Sequence, residues 1–231
     1  MVLVEDEPDV QFYSTLTRML ADDGRITREV IPVFERASIG SGRDKISGGK
    51  GAVRAWVEKL RRAKLGQVVQ GLIDRDQGNG SGDGIHVLAR YSIENYLLDP
   101  VVVYVALRDS KRAPEIELSK RIRLGMEAQL RDLPAHDLQS IADVITSKVE
   151  TKCPGLALTT GEKERVEIGF CHRGLKLQYP KWLIDRRGKE LTVRYHDIWG
   201  LTTAGLLSAF EKVAIIPCDL LQIVEKILAP S

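Results

Sequence analysis

Cysteine is scarce in this chain, and long apolar runs are absent from it. The three cysteines, at positions 153, 171 and 218, are too few and too widely spaced for a disulfide framework, which favours a reducing compartment. No stretch of about 18 apolar residues occurs, so we expect no membrane span. The acidic residues at positions 5–7 do not match the basic start of a signal peptide. Together these absences predict a cytoplasmic protein.

Net charge is also close to zero, whereas apolar residues are plentiful. The 231 residues include 34 basic and 32 acidic side chains, which give a formal charge of +2. That balance neither requires nor excludes a nucleic-acid partner, because binding depends on a local basic patch. Hydrophobic residues make up 43% of the chain, enough for the core of one large domain or two small ones.

Residues 1–89 alternate between short apolar runs and amphipathic stretches. Short apolar runs predict strands, and apolar residues at helical spacing predict helices. In chain order the predicted elements are a strand at 2–5, a helix at 9–22, a strand at 29–34, a helix at 52–64, and strands at 67–73 and 85–89. This alternation is typical of a parallel α/β sheet flanked by helices, which places ligands at the carboxyl ends of its strands.

From residue 90 onwards the pattern becomes mainly helical. Helical spacing recurs in residues 90–107, 115–133, 136–152, 181–200 and 217–228, while VEIGF at 166–170 favours a hairpin. We therefore predict a catalytic α/β core at 1–100 and a helical C-terminal elaboration at 101–231, packed on that core.

Asp74 and Asp76 form a D-x-D motif directly after a buried apolar run. On an extended segment, residues i and i+2 point to the same side, so both carboxylates would face one site. Such oxygen ligands suit Mg²⁺ or Mn²⁺ rather than zinc. Glu5 would supply a third carboxylate, and Asp9 would serve a second ion. Two such ions promote phosphodiester hydrolysis. The alternative interpretation is that the D-x-D segment is a solvated turn with no metal site.

The opening VLVEDEPDV also matches the start of a response-regulator receiver domain. In a receiver, the phosphorylated aspartate lies at the end of the third strand, and a lysine followed by proline comes later. Here the corresponding Asp74 lies much farther from the acidic opening, and no Lys-Pro pair occurs in the chain. The receiver is an alternative that only the opening residues support.

Four segments together resemble the Toprim fold: VLVEDEPDV, GGKG, GLIDRD and RYSIENYLLDP. The likeness is to the OLD-like Toprim nucleases that work with ABC-type or AAA ATPases in anti-phage defence, which include the Toprim effector of the PARIS system. It covers residues 2–100, with weaker likenesses in GKEL at 188–191 and IPCDL at 216–220.

By this resemblance, the site residues divide between catalysis and metal binding. Glu5 would act as an acid–base group and as a ligand of one of two Mg²⁺ or Mn²⁺ ions. Lys189 would stabilise the charged transition state. The further metal ligands that the resemblance implies are Asp9, Asp74, Asp76 and Glu94. Asp6 departs from the family pattern, because glycine, which permits a tight turn, usually follows the glutamate.

The activity that the resemblance implies is metal-dependent cleavage of nucleic acid. The substrate would be RNA, transfer RNA included, or DNA, and the setting would be phage defence beside an ATPase partner. A homodimer is also implied. The alternative, which Asp6 supports, is a non-catalytic Toprim module that binds an ATPase.

Two basic residues are candidates for contact with substrate phosphates. The loop GSGRDKISGGKG at 40–51 fails the Walker pattern, yet a glycine-rich loop that opens a helix offers free backbone N–H groups to a phosphate. Lys50 adds a mobile positive charge there, and the alternative is that the segment is a flexible surface loop. Arg90 is the second candidate, with pairing to the carboxylate of Glu94 as the alternative.

Overall fold

The computed structural model describes residues 1–39, 46–66, 68–76, 78–153, 156 and 158–229. The chain forms two compact units. The first comprises Met1–Ala89 together with Asp219–Ser231, and the second comprises Arg90–Cys218. The last part of the chain therefore packs with the first part.

A four-stranded parallel sheet lies at the centre of the first unit. The strands of this unit are β1 (Val2–Val4), β2 (Phe34–Arg36), β3 (Ser38–Ile39), β4 (Ile46–Ser47), β5 (Gln70–Ile73) and β6 (Ile85–Val87). The parallel sheet has the spatial order β2-β1-β5-β6, while β3 and β4 form a separate antiparallel ladder. The helices of this unit are α1 (Glu7–Asp22), α2 (Lys50–Arg62) and α10 (Cys218–Leu228). The predicted fold class, an α/β parallel sheet flanked by helices, is confirmed.

The parallel sheet is buried on both faces, as the apolar composition of its strands predicts. Leu3 and Ile73 pack in one cluster with Val53 and Val57 of α2. Neighbouring residues of a strand point to opposite faces, so Val4, which has no exposed surface, shows that the second face is also covered. Because both faces of the sheet are buried, polar side chains are expected at the ends of the strands.

The second predicted strand is wrong in position. Residues 29–34 were expected to be extended, but Arg28–Val30 form a 3₁₀ turn and β2 begins only at Phe34. Pro32 has no backbone N–H to donate to a neighbouring strand. The parallel pairing of Val2 with Phe34 therefore starts after the proline.

The second unit combines helices with one β-hairpin. Its helices are α3 (Glu94–Leu97), α4 (Pro100–Asp109), α5 (Ala135–Lys152), α6 (Thr160–Lys163), α7 (Lys181–Asp185), α8 (Gly188–Trp199) and α9 (Thr203–Val213). The strands β7 (Arg165–Gly169) and β8 (Lys176–Pro180) pair antiparallel, which confirms the predicted hairpin. Helix α4 packs against α5 and α9, and all but the last residues of α4 are buried.

The helix predicted at 115–133 is wrong, because only Glu127–Asp132 form a 3₁₀ helix there. Two backbone groups in the part of this segment that precedes the 3₁₀ helix bond to side chains of other helices. The amide of Ser119 donates to Asp137 (3.0 Å), and the carbonyl of Ile122 accepts from Arg108 (2.6 Å). Side-chain partners of this kind replace the helical hydrogen bonds that the apolar spacing predicted.

No helix in the described part of the chain is both long enough and apolar enough to cross a membrane. Cys153, Cys171 and Cys218, all within the described residues, form no disulfide with each other.

Candidate active site

The ends of β1 and β5 lie at the point where the strand order of the sheet reverses. The chain passes from β1 to β2 on one side, and then to β5 on the other side of β1. In open parallel sheets, ligands bind outside the carboxyl ends of the strands at such a point. Glu5 follows β1 and Asp74 follows β5, and the Oε1 atom of Glu5 accepts a 3.1 Å hydrogen bond from the Asp74 amide. The two strand ends therefore meet, as the sequence predicts.

Asp76 joins this group through a turn and not through an extended segment. Strand β5 ends at Ile73, and Asp76 has a φ of +46°, a region that aspartate tolerates better than most residues. Asn79 holds the turn, because its side-chain amide donates to the Asp74 carbonyl (2.9 Å) and to Oδ2 of Asp76 (3.3 Å). The i, i+2 argument for a shared direction of the two carboxylates therefore does not apply. We call Glu5, Asp74 and Asp76 together the acid edge.

Sequence reasoning missed Asn79, although a signal was present. Asparagine in a glycine-rich loop commonly bonds to nearby backbone groups and fixes a turn. Here the loop is NGSGDG, directly after the D-x-D motif. The role of Asn79 is to orient Asp76 toward the rest of the acid edge.

The carboxyl group of Glu5 has an unusual electrostatic setting. Burial raises its pKa above the ordinary value, and the negative charge of Asp76 raises it further. Backbone N–H groups of Asp74 and Lys50 donate to the carboxylate and act in the opposite direction. The net shift of the Glu5 pKa is upward, so Glu5 binds its proton more tightly than a glutamate fully exposed to solvent does. A cation close to the acid edge would favour the ionised form of Glu5.

This shift predicts how stability depends on pH in metal-free buffer. Because the folded protein holds the Glu5 proton more tightly than the unfolded chain does, ionisation of Glu5 costs folding free energy. That cost is absent below pH 4.5, appears as the pH rises through the raised pKa, and is complete above it. We therefore expect the stability of the wild type relative to Glu5→Gln to fall as the pH is raised from 4 to 8. Urea unfolding at each pH measures this difference, with Glu35→Gln, at an exposed position on β2, as the control substitution.

The start of α2 contacts Glu5 through backbone hydrogen bonds. The Gly49 amide donates to the Glu5 carbonyl oxygen (2.9 Å), and α2 starts at the next residue, Lys50. The ammonium of Lys50 lies 3.1 Å from Oδ2 of Asp76. Lys50 was predicted to contact a phosphate, and that remains a prediction. Residues 40–45 of the predicted glycine-rich loop lie outside the described residues.

Gly48 permits this close approach, which gives a testable prediction. Its φ is +84°, and a Cβ atom there would lie 2.5 Å from the Glu5 carbonyl oxygen. We expect Gly48→Ala to lower the free energy of unfolding by about 1–3 kcal/mol, because strain and overlap both act. Gly24 is the matched control, since its φ is +68° but nothing lies within 4 Å of the added atom. Urea unfolding should show a larger loss for Gly48→Ala than for Gly24→Ala, and equal losses would contradict the close approach.

Asp6 and Asp9 form the N-terminal cap of α1. The Asp6 side chain accepts from the Asp9 amide (3.4 Å), while Oδ2 of Asp9 accepts from the amides of Asp6 (3.0 Å) and Glu5 (3.1 Å). Asp6 has extended backbone angles, so this position needs no glycine. Asp9 is buried, and one of its carboxylate oxygens already serves the backbone. Its role as a ligand of a second ion remains a prediction.

Glu94 and Lys189 both belong to the second unit. The Cβ atom that alanine would add at Gly188 would lie 2.7 Å from the Cβ of Glu94 and 2.2 Å from Oγ of Ser92, so α3 and the start of α8 are in tight contact. Ser92 donates to the Glu94 carboxylate, and Lys189 is exposed on the first turn of α8. The segments SIENY and GKEL, far apart in sequence, therefore meet within this unit. The roles predicted for Glu94 and Lys189 remain predictions.

Arg90 has the environment of a structural residue. Only 1% of its surface is exposed, and its guanidinium lies over the Tyr96 ring at 4.4 Å. It donates to the Asn95 carbonyl (2.9 Å) and lies 4.0 Å from the Asp99 carboxylate. A phosphate contact needs a guanidinium that solvent can reach, so this geometry does not support the predicted contact. The alternative prediction paired Arg90 with Glu94, but the carboxylate that lies beside its guanidinium is that of Asp99.

The donor chemistry of the acid edge fits a magnesium-type or manganese-type ion in part. Carboxylate oxygens are the ligands that these ions prefer, and Glu5 and Asp76 are close enough to interact electrostatically. Among the described residues, however, no group of three or more acidic, histidine or cysteine side chains is arranged to hold a metal ion. The structure thus brings together part of a ligand set.

Comparison with known proteins adds no family assignment. A scan of the chain against protein-family models finds no match, and a search of curated proteins finds no significant match. The Toprim likeness therefore remains a prediction from the sequence motifs, and the interpretation of the acid edge depends on its own geometry.

Proposed function

We propose that the protein is a metal-dependent nuclease that hydrolyses phosphodiester bonds of RNA or DNA at the acid edge. The observation that carries this proposal is the hydrogen bond between Glu5 and the Asp74 amide, with Asp76 beside it. It joins the ends of two neighbouring parallel strands at the reversal of the strand order, where such sheets bind ligands. Carboxylates crowded together in this way favour cations.

The residues of the acid edge have separable roles in this proposal. Glu5, whose pKa is raised by burial, is the residue of the acid edge that we assign to take and return a proton. Asp76 and Glu5 would hold a divalent cation, and Asn79 orients Asp76. When bound, that ion supplies positive charge that polarises the phosphodiester. The backbone N–H groups of Asp74, after β5, and of Lys50, at the start of α2, donate to the Glu5 carboxylate and hold it in place.

The wider setting of the proposal comes from the Toprim likeness. By that likeness the protein is a cytoplasmic effector of phage defence that works with an ATPase partner and forms a homodimer. The lack of disulfides among the three cysteines is compatible with a reducing compartment.

Cleavage assays test the proposal directly. Purified protein is incubated with end-labelled transfer RNA, other RNA and DNA, in Mg²⁺, in Mn²⁺ or in EDTA. We expect cleavage that requires the metal and that Asp76→Asn abolishes. Asp83→Asn is the matched control, because Asp83 lies in the same loop and also pairs with a basic residue of α2, yet its side chain is 91% exposed.

Two outcomes would contradict the proposal. One is the absence of cleavage of every substrate, with and without the ATPase partner. The other is an Asp76→Asn variant that cleaves as fast as Asp83→Asn, since the activity would then arise elsewhere or from a contaminant.

A further inference from the structure

Lys50 contacts two members of the acid edge at once. Its backbone N–H donates to the Glu5 carboxylate, and its ammonium lies 3.1 Å from Oδ2 of Asp76. The first contact belongs to the helix backbone and does not depend on the side chain. The second belongs to a side chain that is 49% exposed, paired with a carboxylate that is 31% exposed. The ammonium can therefore leave Asp76 without any change in the helix.

Other basic residues on the same face of α2 hold the helix against the loop after β5. Arg54 donates to the Gly80 carbonyl (2.8 Å), and Arg61 pairs with Asp83 (3.1 Å). Lys50, Arg54 and Arg61 are spaced by four and seven residues, which places them on one face. These two contacts join the helix to the loop independently of the ion pair between Lys50 and Asp76.

The ammonium of Lys50 balances charge at a point where carboxylates repel each other. Asp76 raises the cost of ionising Glu5, and a positive charge next to Asp76 reduces that repulsion. The same Oδ2 atom also accepts from Asn79 (3.3 Å). A cation that binds this oxygen therefore competes with the two donors, and of these only the ammonium carries a charge that repels it.

We propose that Lys50 is the resident counter-ion of the acid edge and competes with a divalent cation for Asp76. This inference rests on the proposed function, because it concerns the same site. Metal binding releases the ammonium, which then lies at the margin of the site with no change of backbone and can contact a substrate phosphate. When a metal ion binds at the acid edge, the Lys50 ammonium thus becomes available to contact the substrate.

Mn²⁺ binding measured by isothermal titration calorimetry tests this competition without an activity assay. Exposed ion pairs have small free energies, so we expect Lys50→Met to bind Mn²⁺ about three- to fivefold more tightly than the wild type at low ionic strength. Lys50→Arg keeps the competing charge and should bind no more tightly than the wild type. The gap between wild type and Lys50→Met should shrink as KCl is raised, because salt screens the pair.

Arg62→Met is the matched control for the change in net charge. It also removes one basic residue of α2 and breaks one exposed pair, that with Glu58. It lies 12 residues along the helix, roughly 18 Å away, so its effect at the acid edge should be screened. Circular dichroism melting confirms that each variant is folded.

The possible outcomes separate the inference from the proposed function. Tighter binding by Lys50→Met than by Arg62→Met supports the competition. Equal or weaker binding by Lys50→Met overturns the competition and leaves the metal site intact. If neither the wild type nor Lys50→Met binds Mn²⁺ at millimolar concentration, the metal site fails, and the competition fails with it.

Discussion

Glu5→Gln is expected to lower the rate of metal-dependent cleavage about a thousandfold, the loss typical for removal of an acid–base group. Glutamine has the same shape and can still accept the Asp74 amide through Oε1, so the strand ends stay joined. It cannot take a proton, and it removes one of the two carboxylates nearest the proposed cation. Initial rates on the best substrate, measured at saturating Mn²⁺, give the ratio directly.

Glu7→Gln is the control for this substitution. Glu7 lies two residues further along, on the exposed side of the first turn of α1. We expect its rate to match the wild type, with both variants purified in parallel to expose any contaminating nuclease. A Glu5→Gln rate within about threefold of the wild type would remove Glu5 from the chemistry.

Asn95→Asp is expected to destabilise the protein by about 3 kcal/mol or more, the largest stability effect that we predict. Asn95 has no exposed surface, and its side-chain amide donates to the carbonyls of Leu183 (2.8 Å) and Arg186 (2.9 Å). Its Oδ1 accepts from the backbone amide of Ser92 (3.0 Å) and lies 3.0 Å from the Ser92 hydroxyl oxygen. Aspartate has the same shape but would place a buried carboxylate against two carbonyl oxygens.

Gln139→Glu is the matched control for Asn95→Asp, because it makes the same chemical change in the same unit. Gln139 also bonds through both ends of its amide, accepting from the Gln178 amide (2.7 Å) and donating to the Gln178 carbonyl (2.9 Å). It is only partly buried, so water can solvate the new charge. Urea unfolding followed by circular dichroism should show a much smaller loss for Gln139→Glu, and similar losses would contradict the role assigned to Asn95.

The sequence predicted the parallel sheet and the meeting of Glu5 with Asp74 because both follow from local pattern. Apolar runs separated by amphipathic helices define parallel strands, and the carboxyl ends of such strands share one edge. Neither step requires knowledge of side-chain partners. The Glu5 position could therefore be assigned before the fold was known.

The features that sequence reasoning missed depend on a local turn in one case and on partners that are distant along the chain in the others. The direction of Asp76 is set by a left-handed turn and by Asn79. Lys50 was assigned to a phosphate, yet its ammonium pairs with Asp76, 26 residues away. Similarly, the segment 115–133 has helical spacing, but its backbone bonds to side chains of α4 and α5. Tertiary partners override local preference at Lys50 and in the segment 115–133.

Anomalous diffraction from crystals soaked in Mn²⁺ tests the central claim most directly. If the acid edge is a metal site, an anomalous peak should lie about 2.0–2.6 Å from carboxylate oxygens of both Glu5 and Asp76. The ammonium of Lys50 should then be displaced from Asp76. No peak at the acid edge at saturating Mn²⁺, or a peak found only elsewhere, would contradict the account.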